Sequence, residues 1–215
     1  MNAIRSFSKF IPPLTSWNKN IIARFHDAEQ VFLTIDDGPH PAATMEALGA
    51  LSERNLRATF FVVGSEIEKY PDVLNHILAG GHRIENHSFT HRRMTGMRRA
   101  TLTSEILTCS KLIEHRTGCA PLYFRPPYGW FNRELLALCT AHRQQMLLWN
   151  SMPGEYSASR SVEQIKDFFS RNLRAGDIVV IHDNEKTVSK VGAVIHALAD
   201  VLHTKRLNTA YLPKP

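Results

Sequence analysis

The sequence predicts a single α/β domain with about seven parallel strands, folded as a closed or nearly closed β/α barrel. Short apolar runs alternate with amphipathic segments of helix length, which is the pattern of repeated β-α units. The chain has 215 residues, a size that one α/β barrel routinely reaches, and no Gly/Ser-rich linker divides it. An open, doubly wound sheet is the second architecture that this alternation allows.

Each predicted element has its own local signals. Short apolar or β-rich runs predict strands at 31–36, 57–63, 82–86, 122–125, 145–150, 177–182 and 207–212. Amphipathic segments between them predict helices at 41–51, 65–69, 72–79, 101–116, 133–142, 162–173 and 191–205. In the helix at 101–116, Leu102, Ile106, Cys109 and Ile113 recur at three- and four-residue spacing, and Gly118 ends it.

The composition excludes several classes of protein. The 43% hydrophobic and 21% charged fractions rule out a disordered or fibrous chain. No run approaches about 20 apolar residues, so no membrane-spanning helix is expected. Cys109, Cys119 and Cys139 are too few for a disulfide scaffold and lack C-x-x-C spacing, so free thiols are expected. The net charge of +6 favours anionic surroundings.

The N-terminus begins like an export signal, with Arg5 and Lys9, but it lacks an apolar core and a small-residue cleavage site. A cytoplasmic location is therefore favoured over export, while prior removal of a leader stays open. We expect residues 1–30 to form an extension packed on or leading into the barrel, and residues 31–215 to form the functional domain.

Reactive side chains follow almost every predicted strand. They are Asp36 and Asp37 after the first strand, His87 and His91 after the third, Arg125 and Tyr128 after the fourth, Glu155 after the fifth, and His182 at the end of the sixth. The carboxyl ends of parallel strands meet at one face of a barrel, so we expect these side chains to share one site.

His87 and His91 have i, i+4 spacing, which on one helical turn puts both imidazoles on the same side. Two neutral imidazoles and one carboxylate form a three-ligand metal site with an open position, as in catalytic zinc centres. The same ligands suit non-haem iron, and a chance pair among eleven histidines is the simpler alternative. No Glu follows His87, so a metalloprotease H-E-x-x-H motif is excluded.

Asp36 and Asp37 are candidates for the missing carboxylate ligand and for a base. Neighbouring side chains at an extended strand end point in different directions, so one can face a metal while the other reaches water. The alternative is an ordinary turn, because Asp-Gly-Pro is common turn chemistry.

Arg125 and His182 each have two interpretations, and Tyr128 has one. Arg125 either pairs with a carboxylate in the interior or lies at the surface with its stem on Tyr123. The stiff turn at Tyr128-Gly129 can aim a backbone N–H at a developing oxyanion. His182 is either a general acid or a core histidine satisfied by hydrogen bonds.

Five motifs, met in order from about Val31 to Leu212, resemble those of the polysaccharide deacetylase family, carbohydrate esterase family four. They are Thr34-Ile-Asp-Asp-Gly-Pro39, His87-Ser-Phe-Thr-His91, Arg125-Pro-Pro-Tyr-Gly129, a diverged fourth motif from Trp149 to Tyr156, and Val180-Ile-His-Asp183. The resemblance implies a distorted (β/α) barrel that hydrolyses N- or O-acetyl groups of a sugar polymer or oligomer. An acetylated carbohydrate is then the expected partner.

The resemblance also implies roles for individual residues. The ligands of one divalent metal ion, usually zinc, are Asp37, His87 and His91. Asp36 is the catalytic base, held by Arg125, and His182 is the catalytic acid. The backbone N–H of Tyr128 suits the oxyanion.

The fourth motif departs from the family pattern. Glu155-Tyr156 stands where Asp-Trp is usual, and Met152 replaces a commonly acidic position. Glu155 is expected to tune the catalytic histidine through a longer arm, and Tyr156 to form part of the acetyl pocket. Val180, where leucine is common, also predicts a reshaped pocket wall.

Two other functions stay open. The altered fourth motif allows a carbohydrate-binding protein on the same barrel that has lost turnover. The basic residues of His91-Arg-Arg and Arg98-Arg99 suggest a nucleic-acid binder, but they lack interleaved aromatics. A solvated face or attraction to an anionic polymer explains them better, and no nucleic-acid partner is expected.

Overall fold

In the computed structural model, which describes residues 20–26 and 28–215, seven strands form one curled sheet. They are β1 (Ile21–Ile22), β2 (Phe32–Asp36), β3 (Thr59–Val62), β4 (Arg83–Asn86), β5 (Tyr123–Phe124), β6 (Gln145–Leu147) and β7 (Ile178–His182). Their order is β1-β6-β5-β4-β3-β2-β7, and all neighbouring strands are parallel. The carboxyl ends of the strands therefore lie at the same edge of the sheet.

The sheet curls until its two ends meet. An isolated parallel bridge joins Ser151, just beyond β6, to Val179 of β7, and an antiparallel bridge joins Arg24 to Asp177. The backbone N–H of Val180 donates to the carbonyl of Ser151 over 2.9 Å. These few bonds replace a full strand pairing, so the predicted distorted (β/α) barrel is confirmed.

Helices pack on the outer face of the sheet at each of the predicted positions. They are α1 (Ala43–Glu53), α2 (Gly64–Lys69), α3 (Pro71–Ala79), α4 (Arg99–Thr117), α5 (Arg133–Ala141), α6 (Val162–Asn172) and α7 (Val191–Lys205). Local sequence explains several ends. Ser161 and Gln164 form a capping box that starts α6, and Gly118 ends α4 with φ 73°.

The predicted strand at 207–212 is wrong, and the seventh strand is β1 near the N-terminus. Thr209 forms only an isolated bridge to Val31. Beyond it, Leu212 enters the barrel interior, so the chain leaves the sheet edge before a ladder can form. The expected extension covers residues 1–30. Of these, residues 1–19 and 27 lie outside the described residues, and so do Arg5 and Lys9 of the signal-like segment. Ile21 and Ile22 of the extension pair with β6.

Buried side chains fill the barrel and cover its outside. The interior core consists of Phe32, Phe61, Tyr123, Leu147, Ile178 and Leu212. Two larger clusters lie between the sheet and the helices, one of them beneath α4 and α5. Leu212 and its neighbours fill the interior, so the polar residues at the carboxyl ends of the strands form a site that lies directly above this apolar core. Among the described residues, no helix is both long and apolar enough to cross a membrane.

Candidate functional site

The register of the sheet brings the predicted reactive residues to one place. Asp36 at the end of β2 pairs with His182 at the end of β7. On the other side of β2, Asp36 pairs with Phe61 of β3, whose neighbour β4 leads into His87. A cleft of about 330 Å³ opens at this edge, beside Asp37, His91 and Tyr128.

Asp37, His87 and His91 form a cluster suited to one metal ion. Oδ1 of Asp37 lies 3.0 Å from Nε2 of His91 and 3.5 Å from Nε2 of His87. One ligand atom from each residue lies within 4.8 Å of the other two. The predicted helical turn at 87–91 is wrong, because this segment is a loop in which Ser88 and His91 have positive φ. The two histidines are brought together by that loop and not by helical spacing.

Hydrogen bonds orient two of these three side chains. Nδ1–H of His87 donates to the carbonyl of Arg125 over 2.7 Å, which fixes the tautomer and leaves Nε2 free to bind a metal. Nδ2 of Asn184 donates to Oδ2 of Asp37 over 2.6 Å, so Oδ1 is the oxygen that faces the imidazoles. Burial alone raises the pKa of Asp37, but its contacts with His87 and His91 outweigh burial and hold that pKa well below the ordinary value.

The loop that carries the two histidines is anchored from below by Glu105 of α4. Oε2 of this buried carboxylate accepts the backbone N–H groups of Phe89 and Thr90 at 3.1 and 2.8 Å, and Oε1 accepts the hydroxyl of Thr90. Asn86 adds a further bond, because its Oδ1 accepts the N–H of Ser88 over 2.8 Å. Sequence reasoning missed both residues, although a glutamate on the apolar face of α4 was a usable signal.

Arg125 is fully buried, so its interpretation as a surface arginine is wrong. Its Nη1 donates to Oδ1 of Asp36 over 2.6 Å and to the hydroxyl of Thr34 over 2.8 Å. Its remaining donors reach the carbonyls of Leu147 and Leu148, and its guanidinium stacks 4.1 Å from the Phe61 ring centroid. Asp36 therefore has one oxygen held by Arg125, while Oδ2 lies 3.8 Å from Nε2 of His87.

His182 forms a pair with Glu155 on the opposite side of Asp36. Oε1 of Glu155 accepts Nδ1–H of His182 over 2.6 Å and the backbone N–H of the same residue over 2.9 Å. Burial alone lowers the pKa of His182, but Glu155, with smaller contributions from Asp37 and Asp36, raises it to about 9. The imidazole is partly exposed and its edge contacts the ring of Tyr156 at a centroid distance of 5.6 Å.

Asp183 supports the turn that carries Asp37. Its carboxylate accepts the N–H of Gly38 over 2.8 Å and the hydroxyl of Thr44. A Cβ at Gly38 would overlap that carboxylate, so glycine is required for this close approach. Burial raises the pKa of Asp183 to about 8. The sequence motif includes Asp183, but its contact with Thr44 joins residues 139 positions apart and has no local signal.

Tyr128, Tyr156 and Val180 lie at different depths around the site. Tyr128 has a positive φ of 61°, the residue is 56% exposed, and its ring contacts His91 edge-on. Tyr156 is also exposed. Val180 is fully buried in β7, two residues before His182 and on the same face of the strand.

The model of the family described as polysaccharide deacetylase matches residues 10–147 of the chain. The chain belongs to this family. The deacetylase is 33% identical over 156 residues to a chitooligosaccharide deacetylase of a Bradyrhizobium species, covering 71% of this chain and 70% of the relative. It is 32% identical to a peptidoglycan-N-acetylglucosamine deacetylase of Bacillus cereus, covering 80% of this chain and 79% of the relative.

A solved structure shares both fold and sequence with the deacetylase. It is a family 4 carbohydrate esterase from Streptomyces lividans in complex with acetate, with a TM-score of 0.78 and 30% identity. The match covers 86% of this chain and 94% of that chain. Together with the named relatives, this match identifies the protein as a carbohydrate deacetylase, a hydrolase.

Proposed function

We propose that the protein is a metal-dependent hydrolase that removes N-acetyl, or O-acetyl, groups from an acetylated sugar polymer or oligosaccharide. The observation that carries this proposal is the Asp37–His87–His91 cluster beside the ion-paired carboxylate of Asp36. The relatives named for chitooligosaccharide and for peptidoglycan support an N-acetylated amino sugar as the unit that is cut.

The donor set fits a divalent ion, with zinc as the proposed metal. One carboxylate and two imidazoles form the three-ligand set of many catalytic zinc sites, and the separations of 3.0 and 3.5 Å suit ligands that share one ion. His87 has its second nitrogen on a carbonyl, which is the usual support for a metal-binding imidazole. When bound, such an ion supplies Lewis acidity toward the acetyl carbonyl and toward water.

Asp36 is the proposed base. Arg125 occupies its Oδ1, so Oδ2, on the side of His87, is the oxygen that takes a proton from the attacking water. The same ion pair fixes the orientation of the Asp36 carboxylate and prevents it from turning toward the cluster as a further ligand. The backbone N–H of Tyr128, in its positive-φ turn, donates to the oxyanion that forms on the acetyl group.

His182 is the proposed acid. Its Nδ1–H is engaged by Glu155, so Nε2–H is the proton that passes to the leaving nitrogen or oxygen of the sugar. A pKa of about 9 keeps the imidazole protonated at neutral pH, as the acid role requires. Glu155 thus replaces the aspartate that is usual in the family. Tyr156, in contact with the imidazole, and Val180, beneath it, are the proposed walls of the acetyl pocket.

The test combines metal analysis with acetate release from acetylated chito-oligosaccharides and from peptidoglycan fragments. We expect about one divalent ion per chain and loss of turnover on chelation. Asp36→Asn should retain the ion but lower kcat by about 10²–10⁴-fold. Asp200→Asn, which changes an exposed ion-paired aspartate on α7, is the matched control and should behave like the wild type.

A second candidate, a carbohydrate-binding protein without turnover, draws on the altered fourth motif alone. It predicts that acetylated oligosaccharides bind but release no acetate at any metal loading. The contact between buried Glu155 and Nδ1 of His182 favours the enzyme, because a carboxylate at this nitrogen orients and charges the imidazole for proton transfer.

A further inference from the structure

A basic segment begins at the second proposed histidine ligand. Residues 87–104 contain four arginines, Arg92, Arg93, Arg98 and Arg99, and no aspartate or glutamate. Arg92 and Arg93 directly follow His91 and are exposed. In the described part of the chain neither has a carboxylate partner, whereas Arg99 lies 3.8 Å from Glu134. Two guanidinium groups without a carboxylate partner therefore lie next to the cluster in sequence, and Nε of Arg93 donates to the hydroxyl of Thr95.

Two exposed aromatic side chains lie along this segment. Tyr128 contacts the ring of His91 at a centroid distance of 4.9 Å, and Trp130, two residues later, lies 4.6 Å beneath the guanidinium of Arg93. The segments 91–93 and 128–130 are thus joined by two contacts. The contact between Arg93 and Trp130 follows the contact between His91 and Tyr128 by two residues in each segment. Trp130 is 46% exposed, so part of its ring is open to solvent. Such a ring can stack on a sugar, and a guanidinium binds carboxylates with two parallel hydrogen bonds.

The acidic groups of the opposite side are already paired. Glu66, which lines the cleft, lies 2.7 Å from Nζ of Lys69, and Glu185 lies 3.1 Å from Nε2 of His40. Among the described residues, Lys186 in the cleft lining also has no carboxylate partner, so the charge without a partner around the cleft is positive. Arg92 and Arg93 lie outside the lining, next to His91, and add two positive charges on the side of Trp130. A neutral sugar chain makes no use of such charge, but an acidic one does.

We propose that Arg92, Arg93 and Trp130 form a subsite for a sugar unit that bears a carboxylate, next to the acetylated unit that is hydrolysed. The preferred substrate is then an acidic acetylated glycan and not a neutral one. This inference rests on the proposed deacetylation, and the residues determine specificity without taking part in the chemical steps.

The test uses two N-acetylated oligosaccharides of equal length that differ only in a carboxylate on the unit next to the acetylated sugar. We compare kcat/KM for acetate release from each at low and at raised salt. The variant is Arg92→Gln/Arg93→Gln, and the matched control is Arg98→Gln/Arg99→Gln, which removes two charges from the same segment where α4 begins.

We expect the wild type to prefer the acidic substrate and to lose that preference as salt rises. The acidic-to-neutral ratio should fall about fivefold or more in Arg92→Gln/Arg93→Gln and stay within about twofold of the wild type in the control. Equal use of the two substrates by the wild type, or the same loss of preference in both double variants, overturns the proposal.

Two further outcomes distinguish the subsite from the proposed deacetylation and from general binding of polyanions. Absence of acetate release from both substrates contradicts the proposed function. In that case a binding titration with the two oligosaccharides tests the subsite by itself. Tighter binding of the acidic oligosaccharide supports the subsite, and equal binding overturns it. A single-stranded oligonucleotide of equal charge that binds as tightly as the acidic glycan also overturns it, because the surface is then a general polyanion site.

Discussion

One carboxylate oxygen of Glu155 holds His182 twice, by its ring and by its backbone. Oε1 lies 2.6 Å from Nδ1 and 2.9 Å from the amide nitrogen of the same histidine. Position and protonation of the proposed acid therefore depend on one buried side chain, which makes Glu155 the most informative site for a pH study.

We expect Glu155→Gln to move the alkaline limb of the kcat profile to lower pH. An acid acts while protonated, so activity is present below the pKa of His182, about 9, and is lost as pH rises through it. Removing the Glu155 charge lowers this pKa toward the ordinary imidazole value of about 6.5. Steady-state kinetics from pH 6 to 10 measure the shift, and Glu163→Gln on the surface of α6 is the control. An unmoved alkaline limb contradicts the role given to Glu155.

Removal of Arg125 should lower the free energy of unfolding by more than the Asp36–Arg125 ion pair itself contributes. Arg125→Gln leaves the carboxylate of Asp36 buried without its partner, at a cost of about 3–5 kcal/mol. Asp36→Asn/Arg125→Gln should recover part of that loss, because no unpaired charge is left. Urea unfolding measures both variants, with Arg171→Gln on exposed α6 as the control. If the double variant is less stable than Arg125→Gln alone, buried charge is not the cause.

Asn184→Ala should weaken metal binding without removing a ligand. Its amide fixes Oδ2 of Asp37, and loss of such support typically lowers metal affinity about 10–100-fold. Competition with a chromogenic chelator measures the affinity. Asn172→Ala, which removes an exposed amide at the end of α6, should leave it unchanged. Equal affinities in both variants mean that Asn184 does not orient the ligand.

Glu85→Gln should stabilise the protein at alkaline pH. Glu85 is buried inside the barrel, where its Oε2 accepts the N–H groups of Leu122 and Tyr123, and burial raises its pKa to about 8. The folded state then binds a proton that the unfolded state has lost above about pH 4.5, so stability falls as pH rises from there toward 8.

A neutral glutamine can accept the same two N–H groups and removes this pH dependence. We expect Glu85→Gln to gain on the order of 2 kcal/mol over the wild type at pH 8, and much less at pH 5. Urea unfolding at the two pH values measures the difference. Glu68→Gln, on exposed α2, is the control, and a gain that does not depend on pH would contradict the titration of Glu85.

Periodic and local signals in the sequence predicted most of the fold. The apolar spacing of Leu102, Ile106 and Cys109 placed α4 to within a few residues, and the Asp-Gly-Pro turn signal placed the end of β2. Strand β1 was missed because two residues carry no detectable alternation. The segment 207–212 looked like a strand because its apolar residues serve the interior core instead of a ladder.

The side chains of the candidate site could be predicted from the sequence, but the hydrogen bonds that hold them in place could not. Asp37, His87 and His91 follow strand ends and share metal-binding chemistry, so their meeting could be expected. The hydrogen bonds from Asn184 to Asp37 and from Thr90 to Glu105 join residues distant in sequence, and no period or motif records such pairs.

The bridge between Ser151 and Val179 lies four residues before Glu155 and three before His182. His182 ends the edge strand β7 and Glu155 follows β6, so the two residues meet where the sheet closes on itself. The contact between Glu155 and His182 therefore depends on this closure of the sheet and not on β7 alone. A change that opens this closure should therefore lower deacetylase activity, even when every residue that contacts the sugar is unchanged.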